Sequence, residues 1–182
     1  GEIEESADFF DYYCDRMEQT DAFENLMGMP GSVEESRSVL RPYGVFGIIA
    51  PFNFPVALAA GPAAAALLAG NTVVCKAAED TALPGIRFYE VLADLLPPGV
   101  FNLVNGPGVP VGQEIANNPG VDGLVFTGSV AVGMKLVGDN ASRPFPRPLI
   151  IEMGGKNPAL IMPSADLEKA SDGVMRSAFG AT

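Results

Sequence analysis

Five polar side chains follow short apolar runs, where an α/β protein places its ligand-binding groups: Asn53, Lys76, Glu79, Ser129 and Glu152. The carboxamide of Asn53 can donate a hydrogen bond to a developing oxyanion. Lys76 can donate to ribose hydroxyls or phosphate, and Glu79 can accept from a ribose diol. Glu152 is closely followed by two flexible glycines and can serve as a movable general base. These groups are suited to a small-molecule site.

Each of these residues also has a purely structural interpretation. Asn53 can cap the following helix, and Lys76 and Glu79 can form a surface ion pair. Glu152 can be buried and bonded to backbone amides. Ser129 stands in the small-residue junction 126–133, which admits a pyrophosphate to a helix N-terminus but equally allows close strand–helix packing. Both interpretations stay open at each position.

The absence of histidine narrows the chemistry further. Without imidazole, Ser–His and Cys–His catalysis are excluded, and a general base must be Asp, Glu, Lys or Tyr. The two cysteines, Cys14 and Cys75, make a poor zinc site, so no metal site is predicted. They are far apart in sequence, and a reduced, intracellular protein is favoured over a disulfide.

The elements that must position these residues follow from the apolar pattern. Strands are predicted at 45–50, 72–76, 101–104, 123–126 and 149–152, and helices at 56–69, 83–96, 109–117, 130–139 and after Asp166. This alternation predicts an α/β fold with an open, doubly wound parallel sheet and helices on both faces, which is Rossmann-like. Helix 56–69 is apolar all round and should be buried, with Pro62 kinking it or delaying its start. The segment 105–108 does not complete the fingerprint G-x-G-x-x-G, because Val111 replaces the third glycine, and a tight turn is expected there.

The remaining sequence features set the boundaries of the fold and exclude some partners. Residues 1–38 predict an N-terminal helix and connector, with a loop at 27–38 broken by Gly28, Pro30 and Gly31. Residues 39–182 predict one α/β domain. The net charge of −11 argues against a nucleic-acid partner. Prolines and glycines interrupt the uncharged segment 45–75, so it is expected to be buried in the protein rather than in a membrane.

Four blocks in this order resemble the aldehyde dehydrogenase superfamily. They are Ala-Pro-Phe-Asn-Phe-Pro at 50–55, Gly-Asn-Thr-Val-Val-Cys-Lys at 70–76, Phe-Thr-Gly-Ser at 126–129 with Gly133, and Glu-Met-Gly-Gly-Lys-Asn-Pro at 152–158. The resemblance extends over residues 39–182 and implies that they form a dinucleotide-binding domain. The ending at 177–182 is similar to the segment that leads into the family's nucleophile, with some likeness to the pyrroline-carboxylate dehydrogenase branch.

The resemblance implies a role for each candidate residue. Asn53 would supply the side-chain half of an oxyanion hole, and Glu152 would be the general base that activates the hydrolytic water. Lys76 and Glu79 would hold the adenosine ribose, which favours NAD over the alternative NADP because a 2′-phosphate would meet the Glu79 charge. Ser129 would contact the pyrophosphate. The other implied cofactor-binding residues are Ala50, Pro51, Phe52, Gly128, Gly133 and Gly154, with Phe52 replacing a more usual Trp.

The resemblance also implies that one catalytic group is missing. The family nucleophile is a Cys a few residues beyond Thr182, and neither Cys14 nor Cys75 can replace it. The parent enzyme would form a thioester on that Cys, transfer a hydride to the nicotinamide and hydrolyse the thioester. We therefore expect the chain to be a fragment that cannot by itself oxidise an aldehyde.

Two other functions fit the same fold. One is a non-catalytic dinucleotide-binding or scaffold module, and the other is a relative that reduces acyl thioesters or acyl phosphates. For the aldehyde dehydrogenase we expect a small aldehyde substrate, a homo-oligomeric parent protein and a cytoplasmic location.

Overall fold

Helices and strands alternate along most of the chain. The computed structural model describes residues 1–29, 31 and 33–180. The helices are α1 Glu2–Gln19, α2 Ala57–Leu68, α3 Ala82–Ala93, α4 Gln113–Asn117, α5 Val130–Ala141 and α6 Leu167–Phe179. The strands are β1 Glu24–Leu26, β2 Arg37–Val39, β3 Val45–Ile49, β4 Thr72–Lys76, β5 Phe101–Val104, β6 Gly123–Gly128 and β7 Leu149–Met153.

Strands β3 to β7 form one parallel sheet in the order β5-β4-β3-β6-β7. The chain builds outward from β3 through β4 to β5, then crosses back to place β6 on the other side of β3. The strand order therefore reverses between β3 and β6, and this is where open α/β sheets form a crevice for ligands. The predicted parallel sheet is confirmed.

Helices cover both faces of this sheet, as the apolar pattern predicted. On one face, alanines of α2 pack against the strands in a core with Ile48, Val73 and Cys75. On the other face, Leu124 and Phe126 pack with residues of α4 and α5. The two cores take alternate residues of the same strands, because successive side chains of a strand point to opposite faces.

Helix α2 begins at Ala57, ahead of Pro62, so the expected delay of its start is wrong. Most of its alanines are buried, and α1 lies along its outer side. A Cβ added to Gly61 would lie 3.3 Å from two ring carbons of Phe9 in α1. This burial on two sides outweighs the loss of the one hydrogen bond that Pro62 cannot donate.

Two segments differ from the sequence expectations. The connector is not all loop, because β1 and β2 pair antiparallel through Glu24 and Val39, and Arg37 forms ion pairs with Glu24 and Glu35. Pro30, expected to break this loop, lies outside the described residues. The predicted helix at 109–117 is also too long: an irregular turn spans Gly108–Gly112, with Val109 non-helical, and α4 starts at Gln113.

The last part of the chain lies largely in solvent. The N-cap predicted at Asp166 is confirmed, since its carboxylate accepts hydrogen bonds from the N–H groups of Glu168 at 3.1 Å and Lys169 at 3.3 Å. From Gly154 to Gly180 every residue is exposed except the half-buried Ala170. Among the described residues, no helix is both long and apolar enough to span a membrane.

Candidate functional site

The candidate residues lie along one edge of the sheet. Ile49, at the end of β3, is paired with Lys76 on one side and Phe126 on the other. Glu152 is paired with Thr127. Because all five strands are parallel, their carboxyl ends share this edge, and the structure brings Asn53, Lys76, Ser129 and Glu152 to it. With strands about 4.8 Å apart, β7 lies roughly 10 Å from β3.

Asn53 lies in the turn between β3 and α2, but it does not cap the helix. The N-cap residue of α2 is Val56, which supplies no side-chain acceptor. The carboxylate of Glu2 instead accepts hydrogen bonds from the N–H groups of Val56 at 3.1 Å and Ala57 at 3.3 Å. The capping interpretation of Asn53 is therefore wrong. Its carboxamide forms no hydrogen bond with another described residue and is free to donate one.

The turn that carries Asn53 is rigid and strained. Pro51 and Pro55 restrict the backbone on either side, and the N–H of Ala50 donates to the carbonyl of Lys76 at 3.0 Å. Phe54 has φ 49°, in the left-handed region that non-glycine residues rarely adopt. Backbone strain of this kind is concentrated at functional sites, where the surrounding structure maintains it. Phe52, in the same turn, is 63% exposed.

Lys76 is buried, with 4% of its surface exposed. Its Nζ donates to the carbonyl of Ala77 at 3.0 Å, and its stem passes Gly112, whose added Cβ would lie 3.6 Å from Cδ of Lys76. The ammonium therefore has further N–H groups to offer. Glu79 is exposed in a 3₁₀ turn, and no described carboxylate forms an ion pair with Lys76. The alternative of a surface ion pair is wrong.

Ser129 is the N-cap of α5, where its Oγ accepts a hydrogen bond from the N–H of Val132 at 3.3 Å. The N–H groups of Val130 and Ala131 have no acceptor among the described residues. Such free N–H groups at a helix N-terminus favour an anion. Val130 and Ala131 are exposed, as is Ser129, so this anion-binding end of α5 is open to solvent.

The two glycines of this junction pack closely against neighbouring side chains. A Cβ at Gly128 would lie 2.6 Å from Cζ of Phe126. A Cβ at Gly133 would clash with Met153, at 2.8 Å from its Cγ, and would lie 3.0 Å from Cγ2 of Ile151. Gly133 therefore lets α5 approach β7, which is the role that the third glycine has in dinucleotide-binding folds.

Glu152 is the second-last residue of β7 and is exposed, so the interpretation of a buried glutamate is wrong. Ile151 packs into the core on the α5 side, and the alternation of the strand turns Glu152 to the other face. Its carboxylate has no hydrogen bond to another described residue. Gly154, two residues on, has no heavy atom within 4 Å of an added Cβ.

The two thiols are free and lie in different environments. Cys14 is exposed on α1, and Cys75 is buried in β4. Burial raises the pKa of Cys75 to about 12, with only a partial opposing effect from the Lys76 charge, so this thiol is protonated and unreactive at neutral pH. The described residues include no group of three or more His, Cys, Asp or Glu side chains arranged to hold a metal ion.

Residues 1–182 match the sequence model of the aldehyde dehydrogenase family. The chain belongs to the aldehyde dehydrogenase family. The resemblance seen in the four sequence blocks is thereby confirmed, and the match includes the N-terminal segment that those blocks leave out.

Related proteins and solved structures match nearly the whole chain. A 1-pyrroline-5-carboxylate dehydrogenase of Halalkalibacterium halodurans is 39% identical over 181 residues, covering 97% of this chain and 35% of the relative. Proline utilization A from Bdellovibrio bacteriovorus superposes with a TM-score of 0.91 at 39% identity, covering 99% of this chain and 19% of that one. An NAD-dependent aldehyde dehydrogenase from Sinorhizobium meliloti superposes with a TM-score of 0.85 at 37% identity, covering 97% of this chain and 34% of that one. The chain spans about a third of the length of the curated relatives it matches.

Glu2 contacts the helix that follows Asn53, and sequence reasoning missed it. It stands among several acidic residues of α1, and nothing in that run distinguishes it. Its partners, Val56 and Ala57, are more than fifty residues away in sequence. Only the missing cap at the start of α2, where no Ser, Thr, Asp or Asn directly precedes the helix, indicates that an acceptor must come from elsewhere.

Proposed function

We propose that this chain is the part of an NAD(P)-dependent aldehyde dehydrogenase that binds the nicotinamide dinucleotide and supplies the oxyanion donor and the general base. One observation carries the proposal: Asn53, Lys76, Ser129 and Glu152 meet at the carboxyl edge of a single parallel sheet, at and beside its switch point. Family membership and the NAD-dependent relative from Sinorhizobium meliloti support it.

The residues present fit a dinucleotide. The buried ammonium of Lys76 uses one of its N–H groups on Ala77 and has others for ribose or phosphate oxygens. Glu79 offers an exposed carboxylate to a ribose diol. Two free N–H groups at the start of α5, beside Ser129, suit a pyrophosphate. The turn at 50–52 and Gly154 lie at the same edge, and we propose that they make the remaining cofactor contacts.

The chemistry of the chain's own residues follows from this arrangement. The Asn53 amide donates a hydrogen bond to the aldehyde oxygen as negative charge develops on it, and its rigid turn holds the donor in place before the reaction. Glu152 is exposed, and Gly154, two residues on, has open space around it. The Glu152 carboxylate accepts a proton from the water that hydrolyses the acyl enzyme. A nicotinamide dinucleotide held by these residues would supply the hydride acceptor.

The nucleophile is proposed to be a cysteine outside this chain. Cys75 is protonated and buried, and Cys14 lies on α1, so neither is placed to attack an aldehyde at this edge. The family lead-in at 177–182 supports this in part, although its last residues, Ala181 and Thr182, lie outside the described residues. We accordingly propose that the chain alone is inactive. The similarity to 1-pyrroline-5-carboxylate dehydrogenase favours a small aldehyde as substrate of the whole enzyme; its homo-oligomeric state and cytoplasmic location stay predictions.

Calorimetric titration of the chain with NAD and NADP tests the cofactor assignment. We expect NAD to bind more tightly than NADP. The variant Glu79→Gln should weaken the binding of NAD, since a charge-assisted hydrogen bond contributes ~1.5–3 kcal/mol. The ratio of the NAD affinity to the NADP affinity should fall about tenfold or more. Asp80→Asn is the matched control, because it removes an equal charge from the neighbouring exposed residue and should leave the ratio unchanged. No measurable affinity for either nucleotide would contradict the proposal and leave only the scaffold module.

A further inference from the structure

The first turn of α2 is capped by a carboxylate that comes from another helix. Val56 and Ala57 would otherwise have unpaired N–H groups at this helix end, and both donate to Oε2 of Glu2, at 3.1 and 3.3 Å. A carboxylate at a helix N-terminus satisfies these donors and interacts favourably with the helix dipole. The start of α2 is therefore tied directly to the start of α1.

Glu2 is itself held by its surroundings. Its backbone carbonyl accepts a hydrogen bond from Oγ of Ser6 at 2.7 Å. Its side chain is half-buried in a groove of about 800 Å³ between α1, α2 and α3. Further along α1, the ring of Phe9 lies against Gly61 of α2. These contacts fix the position of the carboxylate relative to α2.

The first turn of α2 in turn holds the residue next to Asn53. The carbonyl of Phe54 accepts a hydrogen bond from the N–H of Leu58 at 3.0 Å. This contact joins the strained, left-handed Phe54 to the helix that Glu2 caps. A strained conformation of this kind persists only while its surroundings enforce it. The direction of the Asn53 amide therefore depends on the anchoring of α2.

We propose that Glu2 is a positioning residue for the oxyanion donor. Its carboxylate anchors the start of α2, the helix maintains the strained turn at Phe54, and the turn aims the Asn53 amide at the aldehyde oxygen. The inference rests on the proposed function, in which Asn53 is that donor. Glu2 acts through Asn53, and the nucleotide-binding groups at Glu79 and the start of α5 lie on other elements. The cofactor contacts proposed at 50–52 precede Phe54, and the N–H of Ala50 holds them to the carbonyl of Lys76 at 3.0 Å.

A double-mutant cycle in the full-length enzyme that contains this chain tests the inference. Asn53→Ala should lower kcat by about 10²–10³, the effect of losing one oxyanion donor. Glu2→Ala should lower kcat by about tenfold or more through misplacement of the donor, with the Kd for NAD unchanged. In the Asn53→Ala background, Glu2→Ala should cost less than about threefold, because the group it positions is already gone.

Conservative variants separate positioning from folding. Glu2→Gln keeps an acceptor oxygen at the same reach and should recover most of the kcat lost in Glu2→Ala. Glu5→Ala, an exposed glutamate on the same helix, is the control and should match the wild type. If Glu2→Ala reduces the folded fraction, Glu2→Asp enters the same cycle, because its shorter side chain withdraws the acceptor while keeping the charge.

The outcomes distinguish the inference from the proposed function. If kcat falls in Asn53→Ala and the losses from Glu2 and Asn53 multiply, or Glu2→Ala leaves kcat unchanged, the positioning role is refuted and the oxyanion role stands. If Asn53→Ala itself leaves kcat unchanged, the proposed role of Asn53 fails and the inference fails with it.

Discussion

Burial of the Cys75 thiol makes the free energy of unfolding depend on pH. Its folded pKa is raised to about 12 by burial, whereas an unfolded thiol has a pKa of about 8.5. The stabilising contribution is complete below about pH 8.5 and is lost as the pH rises toward 12, because the unfolded state ionises first. Urea unfolding of wild type and Cys75→Ala at several pH values should show their difference in unfolding free energy falling by ~1.4 kcal/mol per pH unit in that window.

The exposed Cys14 is the control for this prediction, since Cys14→Ala should leave the pH dependence of wild type intact. Identical pH profiles for wild type and Cys75→Ala would show that the thiol ionises equally in both states. The same burial should protect Cys75 from iodoacetamide in the native protein while Cys14 reacts.

The two proposed catalytic residues differ in how firmly they are held. Asn53 lies between two prolines and beside a strained Phe54, so the backbone that carries its amide is restricted before a substrate arrives. Glu152 is exposed on the edge strand β7, followed by a glycine with open space around it. A fixed donor suits an oxyanion that develops at one point, whereas a general base must reach a water that enters later. Their catalytic roles stay predictions.

Two glycines of helix α5 should respond oppositely to the same substitution. Gly133→Ala should destabilise the chain by ~1–3 kcal/mol, because the added Cβ would meet Met153 and Ile151 of β7. Gly138→Ala, on the same helix, meets no atom within 4 Å and should stabilise by ~0.4–1 kcal/mol. Urea unfolding of both variants measures the difference. Equal effects would mean that α5 does not rest closely on β7.

Helix α1 works as part of the layer that covers one face of the sheet. Its contacts with α2 through Phe9 and Glu2 and the packing of Phe10 on the buried core bring it into the body of the protein. The division of the chain at residues 38 and 39 stays a prediction. Helix α1, which the sequence predicts to lie outside the main domain, thus supplies the cap of α2.

Over the whole molecule, the part of the chain up to β7 should be more stable against local unfolding than the part after it. The strands β3 and β6 are paired on both edges and lie between the two cores. The residues from Gly154 to Gly180 are nearly all exposed. An isolated helix of about 12–15 residues is marginal in water, so α6 should open frequently.

Hydrogen exchange followed by mass spectrometry checks this division. Peptides from α6 should exchange within seconds to minutes at neutral pH, and those from β3 and β6 only on global unfolding. Helix α3 is the matched control, because it has nearly the same length but packs on the sheet through Leu92 and Phe88. Protection of α6 equal to that of α3 would contradict the prediction.

The sequence by itself determined the order of helices and strands from residue 45 onward, the parallel sheet, the family and the edge on which the candidate residues lie. Period-two and helical apolar patterns are local signals, and the carboxyl ends of parallel strands must share an edge, so Asn53, Lys76, Ser129 and Glu152 could be placed together without coordinates. The start of α5 at Val130 and the cap at Asp166 were equally local.

The tertiary structure alone decided which interpretation of each residue holds. Asn53 is free because Glu2 caps α2 across 54 residues, Lys76 is buried with its stem against Gly112, and Glu152 is exposed because β7 is an edge strand. The sequence also did not predict the β1–β2 pair or the strain at Phe54. The burial and the hydrogen-bond partners of a residue depend on groups that are remote in sequence. Local propensity carries no information about which of these groups will contact it.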